Sequence, residues 1–227
     1  MWAFKGSRSN RSGISRKISV RREAPAYAGQ MPRPAPLSWR ADAMKRLFLI
    51  RGLFHLSGCV IPVIYLLADK GAALLVTGSA LVVAAFVETL RIKGCISLAF
   101  VAPLFKEKEM KGPTGSLFYL ISCLVTILLF DKRVASASIF VLAISDPLSA
   151  IIGSKWGRRS LYGKSAEGTG AFFFSSLLVL ACFSFRWPGL ILAAGAATAA
   201  ELLSSKFVDD NLTIPIVTAF ALTVIAR

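Results

Sequence analysis

Charge is what this chain has least of where a soluble domain needs it. Only 17% of its 227 residues are Asp, Glu, Lys or Arg, against about 25% in an ordinary soluble domain. With 55% apolar residues and a mean hydropathy of +0.64, the chain has more apolar surface than one soluble core can hide. Histidine occurs once, at position 55, which excludes a metal centre built from several imidazoles. The four cysteines (Cys59, Cys95, Cys123 and Cys182) stand singly in apolar runs without CxxC spacing. They read as small hydrophobes, so a disulfide framework and a zinc ribbon are both excluded. There is no internal repeat, which leaves an inverted-repeat transporter without positive support.

The net charge of +15 looks at first like a signal for nucleic acid. Its position says otherwise. Residues 1–46 hold 11 of the 27 basic residues and 2 of the 12 acids, so the excess belongs to one end and no nucleic-acid partner is implied. Residues 1–43 are rich in Arg, Ser and Pro and lack the apolar centre of a secretory signal. Three readings fit that composition: a disordered basic tail, an organellar transit peptide, or a stretch upstream of a true start at Met44. The remainder, 44–227, reads as one membrane-embedded domain.

A transmembrane helix needs roughly 20 apolar residues. Seven runs qualify or come close: 47–68, 71–90, 114–131, 134–153, 169–186, 189–204 and 212–226. The predicted fold class is therefore all-α, a polytopic membrane protein with about seven spans. Cys95 to Phe105 is apolar but too short to cross, as in an interfacial or re-entrant piece. With the N-terminus inside, cytosolic segments hold 21 Lys and Arg against 5 outside; started at Met44 the ratio is 12 to 5. The positive-inside rule then sets the N-terminus in the cytosol.

Ionisable groups inside spans are costly and mark function by default. Arg51, His55, Glu88, Asp146 and Glu201 all fall near the cytosolic ends of their runs. Helix-end charges that simply reach the interface are the bland alternative. It suits Asp146 worst, because its side chain is short and apolar helix continues beyond it.

The densest stretch runs from Ser145 to Thr169. Asp146, Ser149, Gly153 and Gly157 recur at three- or four-residue spacing, which gives one helix face an acid, a hydroxyl and two bare backbone patches. Close helix packing through small residues explains the glycines equally well. Lys155, Arg158, Arg159 and Lys164 crowd the loop that follows, where Gly163 and Gly168 permit tight turns. A lysine, hydroxyls and backbone amides at a helix start suit a polyphosphate. Asp209, Asp210 and Asn211 precede the last run. Two carboxylates there suit a magnesium ion held with phosphate oxygens, and one of the three suffices for an ordinary helix cap.

The order Arg51 and His55, Glu88 and Arg91, Glu109 with Thr114-Gly115, Ser145-Asp146 with Gly153 and Gly157, Lys164-Ser165 with Glu167-Gly168, Glu201, then Asp209-Asp210-Asn211 with Pro215 resembles the dolichol, phytol and diacylglycerol kinase family of CTP-using membrane enzymes. The likeness runs from about residue 47 to the C-terminus. It implies transfer of the CTP γ-phosphoryl group to a lipid alcohol, with Mg2+ or another divalent cation, at a cytosolic (or stromal) membrane face. On that resemblance Ser149, Gly153, Gly157, Arg158, Arg159, Lys164, Ser165, Glu167, Gly168 and Asn211 are expected around the nucleotide. Asp146, Asp209 and Asp210 are expected at the ion, and Asp146, Glu201, Glu88 and His55 at the chemistry. The chain departs from the family pattern at Gly52, where a Lys is usual, and at Pro147, where Thr or Gly is. Two other readings are a phosphatidate cytidylyltransferase, which also uses CTP, and a small membrane transporter with acids along its path.

Overall fold

Residues 132–140 are short of large side chains, yet six in a row, Val134 to Ile139, are buried. A helix enclosed on all sides, not one with a single apolar stripe, has that pattern. In the computed structural model, which describes residues 50, 52–53, 55–96, 112–207 and 209–225, this segment opens the central helix of the molecule. Arg51, Glu109, the basic stretch 1–43 and most of the segment from Cys95 to Phe105 lie outside the described residues.

The described residues form seven helices and one small hairpin. They are α1 (Val60–Leu67), α2 (Lys70–Ile92), α3 (Gly115–Leu129), α4 (Lys132–Trp156), α5 (Ala166–Ala181), α6 (Trp187–Phe207) and α7 (Asp210–Ile225). Each falls on one of the seven apolar runs. Three helices, Lys70–Ile92, Lys132–Trp156 and Trp187–Ser204 within α6, are long and apolar enough to cross a membrane. The other four are apolar but shorter. Helix α5 ends at Ala181, not 186. Ser184 takes a positive φ of 55° there, and Pro188 cannot continue a helix across the turn.

The first part of α4 packs against α1, α3, α5 and α7. Small residues also let α6 and α7 approach closely: Ala193, Ala194, Ala197 and Ala200 are all buried on α6. Around α4 these helices share a core of Val141, Leu142, Phe172, Leu180, Ile214 and Leu222. A second cluster, of Tyr65, Ala73, Cys123, Ile127, Ala135 and Ile139, joins α1, α2 and α3 to α4. By contrast α2 turns Leu75, Val82, Val83 and Phe86 outward. Apolar residues on both sides of a long helix are tolerable when the solvent outside is hydrocarbon.

Two local features prepare the site. The central helix widens into a π turn at Val141–Ser145 directly before Asp146. Pro147 has no N–H to return to the carbonyl four residues back, and the widened turn meets that interruption. The hairpin is β1 (Ser160–Leu161) with β2 (Lys164–Ser165), antiparallel with Leu161 opposite Lys164. Tyr162 and Gly163 form its two-residue turn, both at positive φ (49° and 89°), as the tightest hairpin turns require. The expectation of a turn glycine therefore holds for Gly163. Gly168 instead lies in the first turn of α5, where its lack of a side chain serves close packing.

Candidate functional site at the ends of four helices

Lys164 is delivered by the hairpin to the start of α5, and there it faces two other helices. Its Nζ lies 2.6 Å from Glu201 Oε1 on α6 and 3.7 Å from Asp210 Oδ2 at the start of α7. Glu201 is 1% exposed, so a neutralising partner is essential to keeping its charge in that position. Asp146, on α4, acts electrostatically on the same Glu201, as does Asp210. His55 Nε2 stands 3.7 Å from Asp146 Oδ2. That is too long for a hydrogen bond but close enough for charge to matter. Of Asp146, Lys164, Glu201 and Asp209, the groups expected to meet from separate runs, the first three lie together with Asp210 in one cluster, with His55 at its edge.

His55 is positioned indirectly. Gly58 donates its N–H to the His55 carbonyl at 3.0 Å, and Tyr119 on α3 donates its hydroxyl to the Gly58 carbonyl at 2.7 Å. The Tyr119 ring lies so near that a Cβ on Gly58 would stand 2.7 Å from its oxygen. The two positions that depart from the family pattern also meet: a Cβ on Gly52 would lie 3.7 Å from that of Pro147.

The expected glycines and the Ser165 hydroxyl lie in close packing contact. A Cβ on Gly153 would stand 2.5 Å from Ser165 Oγ, and one on Gly168 would stand 2.8 Å from the same atom and 2.9 Å from the Ser149 carbonyl oxygen. One on Gly157 would meet Ser165 Cβ at 2.7 Å. The last turns of α4 and the first turn of α5 are therefore in contact around Ser165, which fixes where Lys164 emerges. Ser165 Oγ accepts the Gly168 N–H at 3.0 Å, an N-cap that uses an amide expected for phosphate.

Glu167 likewise braces the loop. Its Oε2 accepts the N–H groups of Arg158 (3.0 Å) and Arg159 (3.4 Å). Hydrogen bonds from its own N–H and from that of Arg158 hold its carboxyl below the usual range. Arg158 and Arg159 are exposed, with side chains available to reach an anion from the loop.

Two of the expected site groups have other partners in the structure. Glu88 accepts from Arg91 Nη2 at 2.5 Å and from the Thr114 N–H at 3.0 Å, and Arg91 donates on to the Gly112 carbonyl at 2.6 Å. Glu88, one of the three acids expected at the chemistry, here clamps the end of α2 to the start of α3, where its pair with Arg91 is nearly buried. The three-aspartate ion site is also different. Asp209 Oδ1 accepts from both the backbone and side-chain N–H groups of Asn211, at 3.0 and 2.8 Å, a turn that starts α7. Among the described residues no group of three or more His, Cys, Asp or Glu is arranged to hold a metal ion; the Lys164 ammonium stands between two of the acids instead.

The donor chemistry nonetheless suits a hard cation, being all oxygen. Two buried acceptors have no partner, Glu201 Oε2 and Asn211 Oδ1, and an uncompensated acceptor is costly unless a ligand or ion meets it. Reasoning from sequence missed the Ser145–Ser176 hydroxyl pair (3.2 Å) beneath Asp146 and the part played by Tyr119. Arg91 was detectable as the partner of Glu88, since residues three apart on a helix are neighbours.

No family model matches the chain, and no solved structure matches it. Three curated proteins are similar over part or most of it. A CTP-dependent diacylglycerol kinase of Schizosaccharomyces pombe is 29% identical over 147 residues, 55% of this chain and 66% of that protein. A phytol kinase of Synechocystis is 32% identical over 140 residues, 54% of this chain and 60% of that protein. An uncharacterised protein of Rickettsia prowazekii is 29% identical over 180 residues, 73% of this chain and 88% of that protein. The chain therefore spans about two thirds or less of the length of the two named kinases it matches.

Proposed function

We propose that this protein is a CTP-dependent lipid kinase that transfers the γ-phosphoryl group to the hydroxyl of a long-chain alcohol, such as phytol, a polyprenol or a diacylglycerol. The observation that carries the reading is the Lys164–Glu201–Asp210 cluster with Asp146 beside it, where α4, the hairpin, α6 and α7 come together. Similarity to two lipid kinases, one named for its use of CTP, supports the same class. Phosphoryl transfer asks for positioning and charge neutralisation more than for covalent work. Lys164 contacts the phosphates, with Arg158 and Arg159 reaching in from the loop. Asp210 and Asp146 would hold a divalent ion, as magnesium sites with only one or two carboxylates do, and the ion would supply neutralising charge there. Glu201 accepts a hydrogen bond from the lipid hydroxyl and takes its proton. His55 stands beside Asp146 and touches no reacting atom.

All seven helices cross the bilayer in this reading, the N-terminus is cytosolic, and the cluster lies at the cytosolic or stromal headgroup level. The alcohol slides in between helices with its chain in hydrocarbon. The test supplies membranes containing the full chain with γ-labelled CTP or ATP and a panel of lipid alcohols. Labelled lipid monophosphate with CTP supports the reading. A CDP-lipid with release of pyrophosphate would assign a cytidylyltransferase instead.

A further inference from the structure

Lys164 sits where a cation belongs. Its ammonium is 2.6 Å from one carboxylate and 3.7 Å from another, and the other oxygen of that first carboxylate, Glu201 Oε2, is buried without a partner. Asn211 Oδ1, on the residue after Asp210, is also buried and unpartnered. A set of oxygen acceptors with one of its carboxylates fully enclosed needs positive charge at its centre. A single ammonium supplies the charge but leaves Glu201 Oε2 unsatisfied.

We propose that the Lys164 ammonium is a resident stand-in for a divalent cation, and that the ion, alone or arriving with nucleotide, displaces it. Lys164 swings from Glu201 and Asp210 to the phosphates, the ion takes its place against Asp210, and Glu201 is released to accept the hydroxyl proton. With Lys164 in place, Glu201 has a cation on one oxygen and is a poor base, so the site stays inactive until a triphosphate arrives with its ion. A four-carbon stem with rotatable bonds makes lysine, not arginine, the residue suited to such a move. The destination of the lysine rests on the kinase reading; the competition between ammonium and ion does not, and its test uses no turnover.

Binding of Mn2+ alone, without nucleotide, is measured by electron paramagnetic resonance on the full chain in lipid nanodiscs. Lys164→Met is expected to bind Mn2+ at least about tenfold more tightly than wild type, since one positive charge has left the centre of the acids. The double variant Lys164→Met with Asp210→Asn is expected to lose that gain. Equal or weaker binding by Lys164→Met overturns the proposal, as does a gain that survives the loss of Asp210. Removing the lysine leaves Glu201 unpaired and threatens the fold, so wild type provides an independent measurement. Mn2+ alone should raise the rate at which an amine-reactive reagent modifies Lys164 about threefold or more, read by peptide mass spectrometry; an unchanged rate overturns the exchange. If no phosphoryl transfer is found with any alcohol while these results hold, the kinase reading fails and the exchange stands.

Discussion

Asp146 and Glu201 differ in how much water each keeps, and that difference separates their roles. The Asp146 side chain is 20% exposed and faces His55, whereas that of Glu201 is 2% exposed and faces Lys164. Replacing Glu201 with Gln keeps the shape, removes the proton acceptor and leaves Lys164 with Asp210. Phosphoryl transfer by Glu201→Gln should fall at least about a hundredfold in kcat, the usual effect of losing a general base, with a smaller change in KM for the alcohol. A steady-state comparison with γ-labelled CTP measures the split, and retention of wild-type kcat would remove Glu201 from the chemistry. Asp146→Asn should abolish turnover while membrane insertion, read by alkaline extraction, is unchanged. At this scale the sequence was informative for a simple reason: an acid inside an apolar run is expensive whatever its partner. Partners were another matter. Glu88 and Glu201 look alike along the chain, and only the position of Arg91, Thr114 and Lys164 in space makes one a clamp and the other a site.

The contact between α4 and α5 is built from absent side chains, so it is sensitive to a single methyl. In Gly153→Ala the new Cβ would stand 2.5 Å from Ser165 Oγ but 3.5 Å from Gly168 Cα. The hydroxyl is thus the obstacle. Overpacking of this kind costs about 1–3 kcal/mol, and Ser165→Ala alone costs about 1 kcal/mol through its lost N-cap. The pair should be strongly non-additive: once Ser165 has become Ala, Gly153→Ala should cost little more. Thermal unfolding of the four proteins in nanodiscs provides the cycle, and simple additivity would show that the two helices do not meet at this point.

The loop that precedes α5 should depend on pH through Glu167. Its carboxyl is held below its ordinary value in the folded chain, so its contribution is complete above the usual glutamate range and is lost as pH falls through the lowered value. Protection of the Arg158 and Arg159 amides, measured against the intrinsic exchange rate at each pH, should therefore fall on acidification, and Glu167→Gln should show reduced protection at neutral pH as well. Helix positions were visible in the sequence because apolar runs have the length of spans. The π turn before Asp146 and the hairpin at Tyr162 and Gly163 were not, since both depend on how neighbouring elements pack.

For the molecule as a whole, orientation decides whether the site faces the compartment that holds nucleotide. The proposed topology puts the N-terminus in the cytosol on the bias of Lys and Arg toward alternate loops, and the helix order then assigns each loop to a side. Two native cysteines test that assignment without any inserted tag. Cys95, just after α2, and Cys182, just after α5, are both exposed, whereas Cys123 is buried. In the proposed topology α2 runs toward the cytosol and α5 away from it, so these two thiols belong to opposite faces. An impermeant maleimide added to sealed, right-side-out vesicles should modify Cys182 and spare Cys95. Permeabilisation should make Cys95 reactive, with Cys95→Ser and Cys182→Ser identifying each product. Modification of both thiols from one side would place the ends of α2 and α5 on the same face. Asp146, Lys164 and Asp210 would then remain neighbours in space, but the membrane could not be drawn through these helices as proposed, and the lipid hydroxyl would need another route to Glu201.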